Sequence, residues 1–129
     1  MNLKYVKGSY MDEIMVDGRP VLFTLDGLPE GQEAQQYAEE IWNWVLEHQS
    51  QVVSHAPLIA SFKNKKWRSE DEPEVTAEDI LGCLQRITSI YATYQEGFDV
   101  FFDTNAVFEE RSLVISIGKN FFFEGFKLL

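Results

Sequence analysis

From Ala34 onward the apolar or ring-bearing positions fall at 34, 38, 41, 45, 48, 52, 55, 59 and 62. The steps alternate between four and three, which keeps side chains on one face of an α-helix. The stripe is Ala34, Ala38, Ile41, Val45, His48, Val52, His55, Ile59 and Phe62, widened by Tyr37 and Trp44; Glu33, Glu39, Glu40, Glu47 and Gln51 lie off it. A face this long must be buried against a second layer. Pro57 interrupts it, because it cannot donate to the Val53 carbonyl and its ring crowds that turn. The expectation is two helical pieces in near-continuity, the second starting near Ser54.

Both flanks read as β. Lys4-Tyr5-Val6 and Ser9 to Val16 are short extended segments. Asp17-Gly18 is a hairpin signal, since a type I′ turn needs positive φ at both central residues. Pro20 to Leu25 returns, with Pro20 at a strand start where its missing N–H does little harm. After the long helical stretch, Ser69 to Glu74 is a charged, proline-broken linker. Thr76 reads as an N-cap with Asp79 in a capping-box-like position, ahead of a short helix carrying Ile80, Leu81, Leu84 and Ile87. Extended segments are expected at Thr88 to Tyr94, Phe98 to Asp103, Val107-Phe108, Ser112 to Ile117 and Phe121 to Phe123. Hairpin, helices and meander in that order give an α+β fold. An antiparallel sheet is built from the N-terminal hairpin and the C-terminal meander, with two or three helices packed on one face, all in a single domain over residues 1–129.

Composition narrows the classes. The 129 residues include 10 Phe, 5 Tyr and 3 Trp, enough for an aromatic core. The one cysteine, Cys83, cannot form an internal disulfide, and the first residues have no apolar leader segment, so a cytoplasmic protein is expected. No apolar run approaches the ~20 residues of a membrane span, so no membrane association is expected. The net charge of −10 disfavours nucleic acid. Lys63, Lys65, Lys66 and Arg68 are a basic island where the long helix should end, a place favoured by the helix dipole.

No catalytic, cofactor or metal set is expected. His48 and His55 are seven apart, about 10.5 Å along a helix, too far to share one ion, and they read as half-buried, hydrogen-bonded residues of the stripe. Glu70, Asp71, Glu72 and Glu74 lack the alternating ligands and turn glycine of a calcium loop and read as solvated. Cys83 reads as a small core residue. Asp99 and Asp103, with Glu109 or Glu110, are the carboxylates that a small metal-assisted hydrolase would use. Lys65, Lys66 and Trp67 resemble a phosphate-contacting patch with a stacking ring, or else a helix end whose Trp packs on the core. Phe121-Phe122-Phe123 puts at least one ring outward if it is a strand, which means either a strand covered on both faces or an aromatic patch for a partner.

The order of signals carries a resemblance. Trp42, Lys66-Trp67, Asp71-Glu72-Pro73, Thr76-Ala77-Glu78-Asp79-Ile80, Ile90-Tyr91, Gly97 to Asp103 and Ser112 to Ser116 together resemble an uncharacterised bacterial family, catalogued as the domain of unknown function 2262 type. The resemblance implies the α+β fold and a bacterial origin, and brings no activity. It also implies a histidine before the last Ser-Ile-like strand, where this chain has Arg111, so no role of that histidine carries over.

The functional expectation is a non-catalytic binding or interaction protein, inhibitor- or immunity-like, whose acidic surface meets a basic protein partner. Phe121, Phe122, Phe123, Trp67, Lys65 and Lys66 are its candidate surface. The alternatives are the carboxylate hydrolase and a homodimer formed through the terminal Phe segment.

Overall fold

The computed structural model describes residues 1–29, 33–68, 70–104, 107–108 and 111–129. Among them, seven strands form one sheet whose spatial order equals their chain order. These are β1 (Lys4–Val6), β2 (Ser9–Val16), β3 (Arg19–Asp26), β4 (Ile87–Thr93), β5 (Gly97–Phe102), β6 (Leu113–Ile117) and β7 (Phe123–Leu128). Every neighbouring pair is antiparallel except β3 and β4, which run parallel with Leu22 level with Ser89 and Asp26 with Thr93. The sheet is therefore mostly antiparallel, as expected, with a parallel seam joining hairpin to meander.

Turn chemistry places the first three strands. Asp17 and Gly18 have φ of 50° and 77°, the two positive angles a type I′ turn requires. Lys7 and Gly8 (φ 50° and 92°) repeat the device between β1 and β2. Alternation does the rest. Val21, Phe23, Leu25, Ile90, Ala92, Phe98, Val100, Phe102, Leu113, Ile115 and Ile117 are all buried, and nearly all share one core with the helices.

Between β3 and β4 run α1 (Ala34–Glu47), the single turn α2 (Gln49–Val53), α3 (Ala56–Lys66) and α4 (Ala77–Leu84). The three principal helices, α1, α3 and α4, bury Ala34, Ala38, Ile41, Val45, Ile59, Ile80 and Leu84 against that same sheet face. The rods break at both histidines: His48 separates α1 from α2, and His55 is the N-cap of α3, whose first turn accepts Pro57. The expectation of two pieces becomes three because neither break needs proline alone. The α4 capping box is present, with the Thr76 hydroxyl accepting from Asp79 N (3.2 Å) and the Asp79 carboxylate accepting from Thr76 N (2.9 Å).

Two strand expectations are corrected. Val107-Phe108 is a turn, and Phe108 fills the core as a fully buried side chain. Of Phe121-Phe122-Phe123 only Phe123 is in a strand. Gly118 to Phe121 closes a tight turn, Phe121 N donating to Gly118 O (2.9 Å), with Phe121 at φ +63°.

Candidate functional site

The β6–β7 connection is the least ordinary surface of the molecule. Phe122 is 73% exposed and Phe121 36%. A phenylalanine in the left-handed region costs about 1–3 kcal/mol. Ring contacts offset that cost: Phe121 lies 5.7 Å from Trp44 and 6.0 Å from Phe98, each such pair contributing about 0.5–1.5 kcal/mol. Trp44 also meets Phe98 edge-on at 5.7 Å, and the His48 ring stacks on it at 4.5 Å while Nδ1 donates to the Trp44 carbonyl (2.9 Å). Phe123 turns inward, stacked on His55 at 3.7 Å. The loop thus holds one ring on the helical layer and presents the next to solvent.

Beside this loop lies a groove of about 410 Å³, walled by Tyr37, Glu40 and Ile41 of α1, by Gln95, Gly97 and Phe98, and by Gly118 to Phe121. Its far wall is pinned, because Gln95 N donates to the Tyr37 hydroxyl (2.9 Å) and the Tyr37 and Tyr94 rings lie 4.9 Å apart. Gly97 makes the approach possible. A Cβ there would stand 2.3 Å from the Ile117 carbonyl oxygen. Glu96, Asp99 and Glu124 line a second depression, which shares Gly97 and Phe98 with the groove, and Glu40 lines the groove itself.

The other candidate residues lie elsewhere. Lys65 and Lys66 are exposed at the end of α3. Trp67 is half-buried against the core, with the Arg111 guanidinium 5.0 Å above its ring. Arg111 precedes β6 and Phe121 follows it, so about 15 Å of strand separates Trp67 from the Phe loop. The structure does not join these two halves of the expected surface. Lys63 of the same basic run is buried at 2% exposure. Its ammonium bonds Trp67 O (2.5 Å) and Glu72 (2.9 Å), and Arg68 donates to Glu72 O (2.8 Å), tying the acidic linker to the helix end.

Asp99 and Asp103 do not converge. Asp99 accepts from the Ser116 hydroxyl (2.7 Å) and lies 3.8 Å from Lys127, whereas Asp103 is exposed just past the end of β5, four residues and about 13 Å further on. Glu109 and Glu110 lie outside the described residues. Among the described residues no group of three or more His, Cys, Asp or Glu could hold a metal ion, and no helix is long and apolar enough to cross a membrane.

A polar node that sequence reading missed sits on the helix-free face. Asp26 accepts from the Ser9 and Tyr91 hydroxyls, and these bonds hold its carboxyl below the usual carboxylate range. The same carboxylate pushes the Tyr91 phenol up. Burial lowers His55 and raises the Cys83 thiol, which faces the Asp79 and Thr104 carbonyls. The β2–β3 hairpin brings Ser9 beside Asp26, and the parallel seam adds Tyr91, which nothing in local spacing ties to them. No family model, curated protein or solved structure matches this chain.

Proposed function

We infer that this chain is a binding protein that meets a protein partner with its β6–β7 loop, Phe122 being the central contact. The observation that carries this reading is a solvent-facing phenylalanine beside one held in a strained left-handed turn, on the rim of a groove. Exposed rings at a preorganised site are what protein interfaces use as anchors. The net charge of −10 and the acids Glu40, Glu96 and Glu124 of the two neighbouring depressions favour a basic partner, as an inhibitor or immunity-type protein would have. A hydrolase built on Asp99 and Asp103 has less support, since one is engaged by Ser116 and Lys127 and the other lies a strand-length away. The motif order alone supports kinship with the bacterial family of unknown function, and adds no activity.

The test compares the wild-type chain with Phe122→Asp as bait in a lysate at low and at raised salt. The expected result is a protein retained by the wild type at low salt, released by salt, and lost with the variant while its circular dichroism is unchanged. The same proteins held by both baits, or none held by the wild type at low salt, would overturn the reading.

A further inference from the structure

The chain has four arginines, and two are engaged. Arg68 is bonded to the Glu72 carbonyl and lies 3.9 Å from Glu74; Arg111 covers Trp67. Arg19 and Arg86 form neither an ion pair nor a side-chain hydrogen bond with any described residue. Both line the same depression, about 380 Å³ in volume, at the beginnings of β3 and β4.

The parallel seam puts them there. Arg19 opens β3 and Arg86 directly precedes β4, and the two strands run parallel from Leu22 level with Ser89, so both arginines lie at the same edge of the sheet. α1 supplies an apolar wall, with Trp42 half-buried and Leu46 exposed, and Gln49 and Gln85 contribute amides. Asp17 also lines the depression and leaves the set one positive charge in excess, in a chain of net charge −10. Two guanidinium groups lining one depression, with no ion pair to any described residue, are free to engage a bound anion. Their planar forks match carboxylate and phosphate oxygens, and a flat indole beside them accepts a ring. The volume is that of a small-molecule site.

We propose that this depression binds a small organic anion, a phosphate or carboxylate borne on a planar ring, with Arg19 and Arg86 on the anion and Trp42 against the ring. It stands apart from the aromatic loop, since β3 and β4 begin at this site and end toward the other, so either reading can fail alone.

The experiment titrates the full chain with adenosine monophosphate and, separately, with benzoate. It follows the Trp42 indole N–H by two-dimensional NMR, the resonance being identified by its loss in Trp42→Phe. A saturable shift is expected with at least one anion, and whichever binds tighter assigns the head group. Adenosine and benzamide should bind at least about tenfold more weakly than their anions, as should the better anion to Arg19→Gln and to Arg86→Gln, since each removes a charge-assisted bond. Lys4→Gln, at an exposed position of β1, should leave the affinity unchanged. Arg19 is the exposed first residue of β3, so its variant reports binding even if Arg86→Gln disturbs folding. No shift with either anion, equal binding of the neutral compounds, undiminished affinity in Arg19→Gln, or inorganic phosphate binding as tightly as adenosine monophosphate would overturn the proposal.

Discussion

Replacing Gly97 with alanine tests whether the groove is built by close approach of two backbones. A methyl group there would lie 2.3 Å from Ile117 O and 3.0 Å from both Gly118 Cα and the Gly118 carbonyl carbon. All three are main-chain atoms, so no side chain can swing aside; the start of β5 must part from the end of β6. Overpacking of this kind costs about 1–3 kcal/mol. Gly97 also has φ +103°, a conformation that costs a non-glycine residue another 1–3 kcal/mol or so. The expected loss is about 3 kcal/mol or more, which for a domain of this size lowers Tm by roughly 10 °C. Gly82→Ala is the internal control. It lies inside α4 with nothing within 4 Å of the added Cβ, so alanine should stabilise by up to about 1 kcal/mol. Urea unfolding followed by circular dichroism and tryptophan fluorescence measures both. If Gly97→Ala unfolds at the wild-type midpoint or above, the backbone contact that positions the β6–β7 loop is not as described.

Other expectations concern single interactions. Thr76→Ala removes one half of the α4 capping box and should cost about 1 kcal/mol in urea unfolding; no change would mean the bond is not formed in solution. At the buried Lys63–Glu72 pair the order of effects matters: Glu72→Gln should destabilise more than Lys63→Met. The first leaves an ammonium whose side chain is 3% exposed with the Trp67 carbonyl but without the Glu72 charge, whereas the second leaves a carboxylate at 41% that water can reach; the reverse order refutes this. For the Asp26 node, a carboxyl lowered by folding adds stability that is present above its unfolded pKa of about 3.8 and is lost as pH falls through the folded value. The raised Tyr91 phenol adds stability that is present below its unfolded value near 10 and is lost as pH rises through the folded one. Tyr91→Phe should therefore flatten the alkaline limb of a Tm-against-pH curve, and an unchanged limb would contradict the bond. For His55, a base lowered by burial, stability is complete above its unfolded pKa of about 6.5 and falls as pH drops through the folded value; His55→Phe should remove that loss.

What could be read from the chain were features with a local period or a local conformational demand. The four–three stripe places Ala34, Ala38, Ile41, Val45, Val52 and Ile59 in the core, and His48, His55 and Phe62 at its margin. Asp17-Gly18 and the Thr76–Asp79 pair declare their turn and cap. Other features depend on partners distant in sequence. Phe23, Leu25, Ile90 and Ala92 alternate in the same way whichever direction their strands run, so the parallel seam leaves no trace in the pattern. Lys63 reads as a solvated member of a basic run until Glu72 folds back over it. Phe121 has no preference for positive φ, and its conformation is imposed by Trp44 and Phe98. The Phe loop was legible as an oddity, but its groove was not, because Tyr37, Gly97 and Gly118 meet only once the sheet and α1 are assembled.

The seam also bears on the order in which the molecule assembles. Strands β1 to β3 zip through two-residue turns, and β4 to β7 through connections of three to ten residues, so each half closes comparatively small loops. Joining β3 to β4 instead closes about sixty residues, an entropic cost of about 3–4 kcal/mol in (3/2)RT ln n alone. That cost is recovered only when the intervening rods dock on both halves at once. The Arg19–Arg86 depression spans this late junction, so a ligand lodged there would act as a clasp, slowing the parting of the halves when the protein unfolds.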